Sequence, residues 1–185
     1  MDRCTTCTTD SPEDYPASFG DQGKGDHMGS EPELDEMARR VIDGNRYMVI
    51  ATVGDERRPW VTPVYFTPAG YRDFYWISSP EAQHSLNIAA RPDVSIVVFD
   101  SQVPVGGAEA VYMRAQAQVV PDPTPEECAV AFRIRFEEIR SYTSEELRES
   151  GFGLYRATAE EHWVLVRGSD PVWGRGIDSR MAVTP

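Results

Sequence analysis

Apolar positions recur along this chain with two different periods, and each change of period marks an element. Leu34, Met37, Ala38, Val41 and Ile42 are spaced by three and four, which puts them on one buried helical face. Ser30 and Glu33 stand at capping-box spacing, Pro32 suits a first turn, and Gly44 suits a stop. Beyond Gly44 the pattern becomes that of strands. Tyr47–Val53 reads as a buried strand and residues 54–58 as a turn. In a second strand, Trp60–Phe66, the residues Trp60, Thr62, Val64 and Phe66 face one way, and Val61 and Tyr65 the other. Pro63 lacks an N–H to donate, so this strand lies at an edge or carries a bulge. A turn at residues 68–70 leads to a third strand, Phe74–Ile77.

Ser79 and Pro80 predict the N-cap and first residue of a helix that runs to Ala90, because Pro92 forbids its continuation. Val94–Phe99 and Ala110–Val120 read as strands separated by a loop at residues 103–107. Thr124–Glu127 opens a helix expected to carry Ala129, Val130, Phe132, Ile134 and Phe136, and Thr143 with Glu146 forms another capping box. Strands Leu154–Thr158 and His162–Val166 follow, with Trp173 and residues 181–183 beyond. Six or seven short strands joined mostly as hairpins favour a mainly β, α+β antiparallel barrel or sandwich over a parallel sheet.

Composition adds boundaries to this pattern. The 185 residues suit one domain with a tail. Residues 1–29 carry four glycines, six acidic residues against Arg3 and Lys24, and only Tyr15 and Phe19 as aromatics. Such a segment buries too little apolar area to offset its ordering entropy, so it is expected to be a flexible acidic tail before a domain at 30–185. The net charge of -12 argues against a nucleic-acid partner, which would need clustered cations. No apolar run reaches the roughly 20 residues of a membrane span, so no membrane is expected as a partner. No apolar h-region opens the chain, so no secretory signal is expected either. Three cysteines, Cys4, Cys7 and Cys128, fit a reducing cytoplasm rather than a disulfide scaffold.

Three constellations can carry chemistry. At the junction from Phe74 into the following helix, Ser78 and Ser79 supply hydroxyls, and Gln83 and His84 lie one turn further in. A helix start presents unpaired N–H groups and partial positive charge, which suits a phosphate; the same residues also suit a plain solvent-facing cap. The strand Trp60–Tyr65, with Pro63, leaves main-chain groups for the polar edge of a flat heteroaromatic ring, and Trp60 and Trp163 can cover its faces or simply pack a core. Cys4-Thr-Thr-Cys7 has half the ligands of a tetrahedral zinc site with only His27 near it, so no metal is expected. There is no Gly-x-Ser-x-Gly elbow, no Walker loop and no Gly-x-Gly-x-x-Gly loop.

The segments Tyr47–Val53, Pro59–Val64, Phe74–Ser79, His84–Pro92, Val94–Phe99 and Tyr112–Ala117 follow one another in an order that resembles the pyridoxamine 5'-phosphate oxidase-like, FMN-binding split β-barrel family. The resemblance covers residues 34–120 and, more loosely, the region of Trp163. It implies a six-stranded antiparallel Greek-key split barrel with flanking helices, a homodimer, two FMN sites at the dimer interface and a small-molecule substrate. By position, Trp60, Val61 and Thr62 would line the isoalloxazine. Ser78 and Ser79 would lie by the ribityl phosphate together with Gln83 and His84, Ile77 before them would also bind the cofactor, and Trp163 would approach the flavin from the second subunit. Thr62, or a main-chain N–H of its strand, would be the donor near the reactive flavin nitrogen.

Two departures argue against pyridoxamine phosphate as the substrate. Thr62 stands nearest to the place of the Arg that grips the FMN phosphate in true pyridoxamine phosphate oxidases, which implies weaker FMN binding as well, and the C-terminal Arg-x-His motif for the substrate is replaced by Trp173–Arg180 without a His. The same scaffold is associated with deazaflavin F420 and with haem. The polyanionic F420 tail wants a basic groove, which a chain at -12 with a single Lys supplies poorly unless Arg58, Arg72 and Arg91 cluster. FMN needs one dianion neutralised and is the expected cofactor. The rival expectations are F420, haem, a flavin binder without turnover, and a cofactor-free interaction module.

Overall fold

The computed structural model describes residues 32–133, 135 and 141–185. The predicted tail, Ser30, Cys4, Cys7, Ile134 and Phe136 lie outside the described residues. Helix α1 (Pro32–Gly44) buries Leu34, Ala38, Val41 and Ile42, the face expected from their spacing. Eight strands follow: β1 (Tyr47–Val53), β2 (Pro59–Tyr65), β3 (Thr67–Ala69), β4 (Asp73–Ser78), β5 (Asp93–Phe99), β6 (Ala110–Val119), β7 (Gly153–Val166) and β8 (Ser179–Val183). Three more helices are inserted among them: α2 (Gln83–Ala90), α3 (Pro125–Ala131) and α4 (Ser144–Ser150).

All eight strands form one antiparallel sheet in the order β2-β1-β5-β6-β7-β4-β3, with β8 added to β7. The sheet curls into a half-barrel. The two strands beyond the expected six are β3, hidden in what reads as a turn around Pro68, and β8. Pro63 sits in β2, which has no ladder partner on its second edge among the described residues, as a proline without an N–H requires. Two strands expected at the C-terminal end are one continuous β7. Its first half pairs with β4 as far as Thr158↔Asp73, and its second half pairs with β8 from His162↔Val183. A register shift opposite Arg114 and Ala115 marks the change of partner, so the polar interruption at Glu160 and Glu161 is a bulge and not a break.

The concave side holds the main core. Met48, Ile50, Phe66, Phe74, Ile96, Val98, Met113 and Val164 are packed there against α1 and Ile88 of α2. Each such side chain contributes about 1.5–3 kcal/mol when fully buried. On the opposite face of β4 and β7 a smaller cluster joins Tyr75, Ile77 and Leu154 to Ala131 of α3 and Leu147 of α4. Both of those helices open with complete capping boxes, Thr124 with Glu127 and Thr143 with Glu146. Helix α3 ends at Ala131, with Phe132 as its C-cap, short of the expected run through Phe136. Cys128 is a buried free thiol, which burial, with Glu127 beside it, pushes above its ordinary pKa. Among the described residues no helix is long and apolar enough to cross a membrane, and no three metal-ligating side chains converge.

Candidate functional site

The junction between β4 and α2 is built differently from the sequence expectation. Helix α2 begins at Gln83, and its N-cap is Ala82, with extended backbone and no side-chain cap. Ser79 does not cap the helix. Its Oγ accepts from the Glu81 N–H at 3.2 Å and its carbonyl accepts from the Ala82 N–H at 3.1 Å, closing a turn around Pro80. Pro80 thus serves a turn rather than the first helical position. Two consequences follow. Exposed Glu81 lies outside the helix, and the N–H groups of Gln83, His84 and Ser85 have no intrahelical acceptor. Ser85 adds to this unmet capacity: its Oγ is buried and lacks a hydrogen-bond partner. A cleft of about 640 Å³ runs alongside, lined by Pro80, Ser85, Leu86, Val119, Pro121 and Tyr155 among others.

Alternation along β4 decides which of its residues face this junction. Ser78 shares the concave side with Phe74 and Trp76, whereas Ile77 packs with the Tyr75 and Leu154 cluster on the other face. The side chain of Ile77 is therefore turned away from Ser78. Ser78 Oγ lies 2.8 Å from Nε2 of buried His84. Burial pushes the His84 imidazole below its ordinary pKa.

The other flank of α2 is tied to the strands by amide and hydroxyl groups. Gln83 Nε2 donates to Asn87 Oδ1 at 2.8 Å, Asn87 Nδ2 donates to Thr52 Oγ1 at 2.9 Å, and Thr52 donates to the Trp60 carbonyl at 3.4 Å. Asn87 and Thr52 are both buried. Helix α2 thus bridges β4 and the β1–β2 hairpin, and it brings Gln83 into line with the start of β2.

In β2 the expected facing holds. Trp60 and Thr62 lie on the side of Thr52 and Ile50, their register partners, while Val61 turns outward beside Ala51 and is 63% exposed. The indole Nε1–H of Trp60 donates to Thr62 Oγ1 at 2.9 Å, which leaves the Thr62 hydroxyl proton free to donate elsewhere. Trp163 stands apart from these residues. Four strand spacings separate β7 from β2, roughly 19 Å along the sheet. Trp163 sits on the outer face opposite Tyr112, with the Arg114 guanidinium 5.5 Å from its ring centroid.

Of the three arginines weighed as a basic cluster, Arg58 and Arg91 lie near each other and Arg72 does not join them. Arg91 reaches the Gly54 carbonyl at 3.4 Å, near Arg58, which pairs with Glu56 at 2.7 Å. Arg72 lies beyond the opposite end of β4 from Ser78, about 20 Å along the strand. Asn87 and Thr52 went unrecognised in the sequence because they stand 35 positions apart; the only local signal was Gln83 and Asn87 at i, i+4 spacing on one helical face.

Relatives of known structure share this architecture. The haem storage protein HutZ of Vibrio cholerae is 24% identical with a TM-score of 0.56, over 80% of this chain and 99% of that one. An FAD-binding protein of Mesorhizobium loti is 20% identical with a TM-score of 0.54, over 74% and 94%. An F420 reductase is 19% identical with a TM-score of 0.52, over 68% and 94%. No curated protein sequence matches the chain. Residues 34–163 match the family model described as pyridoxamine 5'-phosphate oxidase. That span takes in every strand from β1 to most of β7 together with the α2 junction, and the chain belongs to the pyridoxamine 5'-phosphate oxidase family.

Proposed function

We propose that this protein is an FMN-dependent oxidoreductase that acts on a small molecule as a homodimer in the cytoplasm. The observation that carries the reading is the first turn of α2. It has no side-chain cap, it leaves three N–H groups without an intrahelical acceptor and the buried Ser85 Oγ without a partner, and it adjoins the Ser78–His84 pair. Unmet donors at a helix start fit one phosphate dianion. They fit a polyanionic tail less well in a chain of net charge -12 whose Arg72 stands apart and whose Arg58 is paired with Glu56.

In this reading Ser78, Ser79, Gln83 and His84 hold the phosphate. Trp60 and Thr62 border the ring, with the free Thr62 proton as a donor to it, and Val61 lies on the outward side of the same strand. A second copy would bring Trp163 to the site across the outer face of the sheet. Bound FMN supplies hydride and electron transfer. The chain's own residues bind it, orient it and exclude water. Pyridoxamine phosphate is not the expected substrate, because the C-terminal segment lacks the histidine of the family's substrate motif.

The test is a parallel titration of purified protein with FMN, haemin and F420, read by visible absorbance and fluorescence, followed by reduction of the complex with NADH or NADPH. FMN is expected to bind most tightly and to be bleached by a nicotinamide donor. Tighter binding of haemin or F420, or no uptake of any of the three, would overturn the assignment. Tight FMN that no donor reduces would identify a carrier rather than an enzyme.

A further inference from the structure

We propose that Thr52 and Asn87 are positioning residues for the phosphate end of the flavin site, acting through Gln83. This rests on the flavin reading above and extends it to two buried residues. The chain Gln83–Asn87–Thr52–Trp60 carbonyl has a fixed direction. A carbonyl only accepts, so the single Thr52 hydroxyl proton is committed to it, at 3.4 Å the longest link. Thr52 Oγ1 is then an acceptor, and the Asn87 amide must turn its nitrogen towards it, at 2.9 Å. Asn87 Oδ1 is thereby turned towards the start of α2, and Gln83 must meet it with Nε2, at 2.8 Å.

An amide side chain can be seated either way round, and this relay selects one. Gln83, exposed at the first turn of α2, is held with its nitrogen engaged and one further N–H to offer. Thr52 and Asn87 are buried, so water does not compete for the opposite arrangement. Gly54 belongs to the same device: a Cβ there would stand 3.3 Å from Asn87 Oδ1, against the amide. Holding a long side chain in place before binding removes part of the ordering cost of gripping an anion.

The experiment compares FMN with riboflavin, which has the same ring and no phosphate. Thr52→Val keeps the shape and removes the hydroxyl. It is expected to weaken FMN about tenfold, the scale of one hydrogen bond to a charged group, and to change riboflavin affinity less than twofold. Thr52→Ser should bind both flavins as wild type does. Gln83→Leu, at an exposed position, should lose FMN by the same factor, and the double variant Thr52→Val/Gln83→Leu should lose no more than Gln83→Leu alone. The proposal falls if Thr52→Val leaves FMN affinity intact, if it weakens both flavins equally, or if the two losses multiply. It falls also if Gln83→Leu binds FMN normally, a result that needs no folded Thr52 variant. Wild-type protein that binds neither flavin would remove the flavin reading and the relay with it, an outcome distinct from wild-type preference for FMN that survives both variants.

Discussion

Ser78 Oγ and His84 Nε2 lie 2.8 Å apart, joining the last residue of β4 to the first turn of α2. The imidazole is buried, and burial holds it below its ordinary pKa. His162 is shifted the same way by burial, partly opposed by the bond that its Nε2–H donates to the Tyr71 carbonyl at 2.9 Å. In the unfolded chain both titrate near 6.5. Between the lowered folded values and about 6.5 the unfolded chain binds more protons, so stability rises with pH in that window. Their contribution is fully present above about pH 6.5 and is lost as pH falls towards the folded values. Melting temperature followed by circular dichroism is expected to fall from pH 7.5 to pH 5, and His84→Gln should flatten part of that slope. An unchanged slope in the variant would show that His84 does not titrate differently on folding.

The loop between β7 and β8 is closed on itself by two glycines. A Cβ at Gly174 would stand 2.4 Å from the Asp170 carbonyl oxygen, and one at Gly168 2.5 Å from the Ile177 nitrogen, distances no neighbour can absorb without backbone movement. Asp170 Oδ1 accepts from the Val172 and Trp173 N–H groups, bonds that hold its carboxyl below the usual range, and Trp173 packs on the core. Gly174→Ala is expected to cost about 3 kcal/mol. Gly44→Ala, in the last turn of α1 with nothing within 4 Å of its new methyl, should instead stabilise by up to about 1 kcal/mol. Urea unfolding of the two variants checks both signs.

Arg135 ties three distant segments together. Its guanidinium donates to the Phe66 carbonyl at 2.8 Å and to the Ile42, Asp43 and Asn45 carbonyls at 2.8–3.2 Å, and it lies 4.8 Å from the centroid of the Phe66 ring. The end of α1 and the β2–β3 corner thus share one cation, which also suits a helix C-terminus. Arg135→Ala should lose about 2–4 kcal/mol, because several part-buried carbonyls lose their donor at once. Arg135→Lys should recover only part of this, since one ammonium cannot replace a planar fork. Denaturant midpoints at constant slope are the measurement.

What could be read in the sequence was what neighbours in the chain decide. The apolar face of α1, the boxes at Thr124 and Thr143, and the stop at Pro92 are local devices, and each stands where its residues predict. Ser79–Pro80 shows the limit of such reading, because the same pair serves a turn or a helix start and only the path from β4 into α2 chooses between them. The bulge in β7 and the strand at Ser179–Val183 depend on partners from other parts of the sheet. In the candidate site, Ser78, Gln83 and His84 were legible as a cluster. Asn87 with Thr52, and Arg135 with its carbonyls, are joined only by the fold, across 35 and up to 93 positions. The inward and outward alternation that separates Ile77 from Ser78 was implicit in the period of the strand.

The outer face of the sheet carries a row of half-buried apolar side chains. Val49, Val97 and Tyr112 stand side by side across β1, β5 and β6, with Trp163 next to Tyr112 and Val61 and Phe99 well exposed at the margins. Contiguous apolar patches of this kind mark interaction surfaces, and a second copy laid on this face is the occupant that the proposed function requires. Val97 lies at its centre, paired with Val49 on one side and Tyr112 on the other. A glutamate there would have to be desolvated on both copies of a symmetric interface, and the nearby guanidiniums of Arg180 and Arg114 are already engaged on the Tyr112 and Trp163 rings. Val97→Glu is therefore expected to convert a dimer into a folded monomer, read by sedimentation with an unchanged circular dichroism spectrum. It should lower FMN affinity by up to about tenfold, because Trp163 from the second copy is lost with the interface. A wild-type chain that sediments as a monomer while binding FMN would remove the second copy, and a Val97→Glu variant that remains dimeric would place the interface elsewhere; either result requires Trp163 to be dropped from the site.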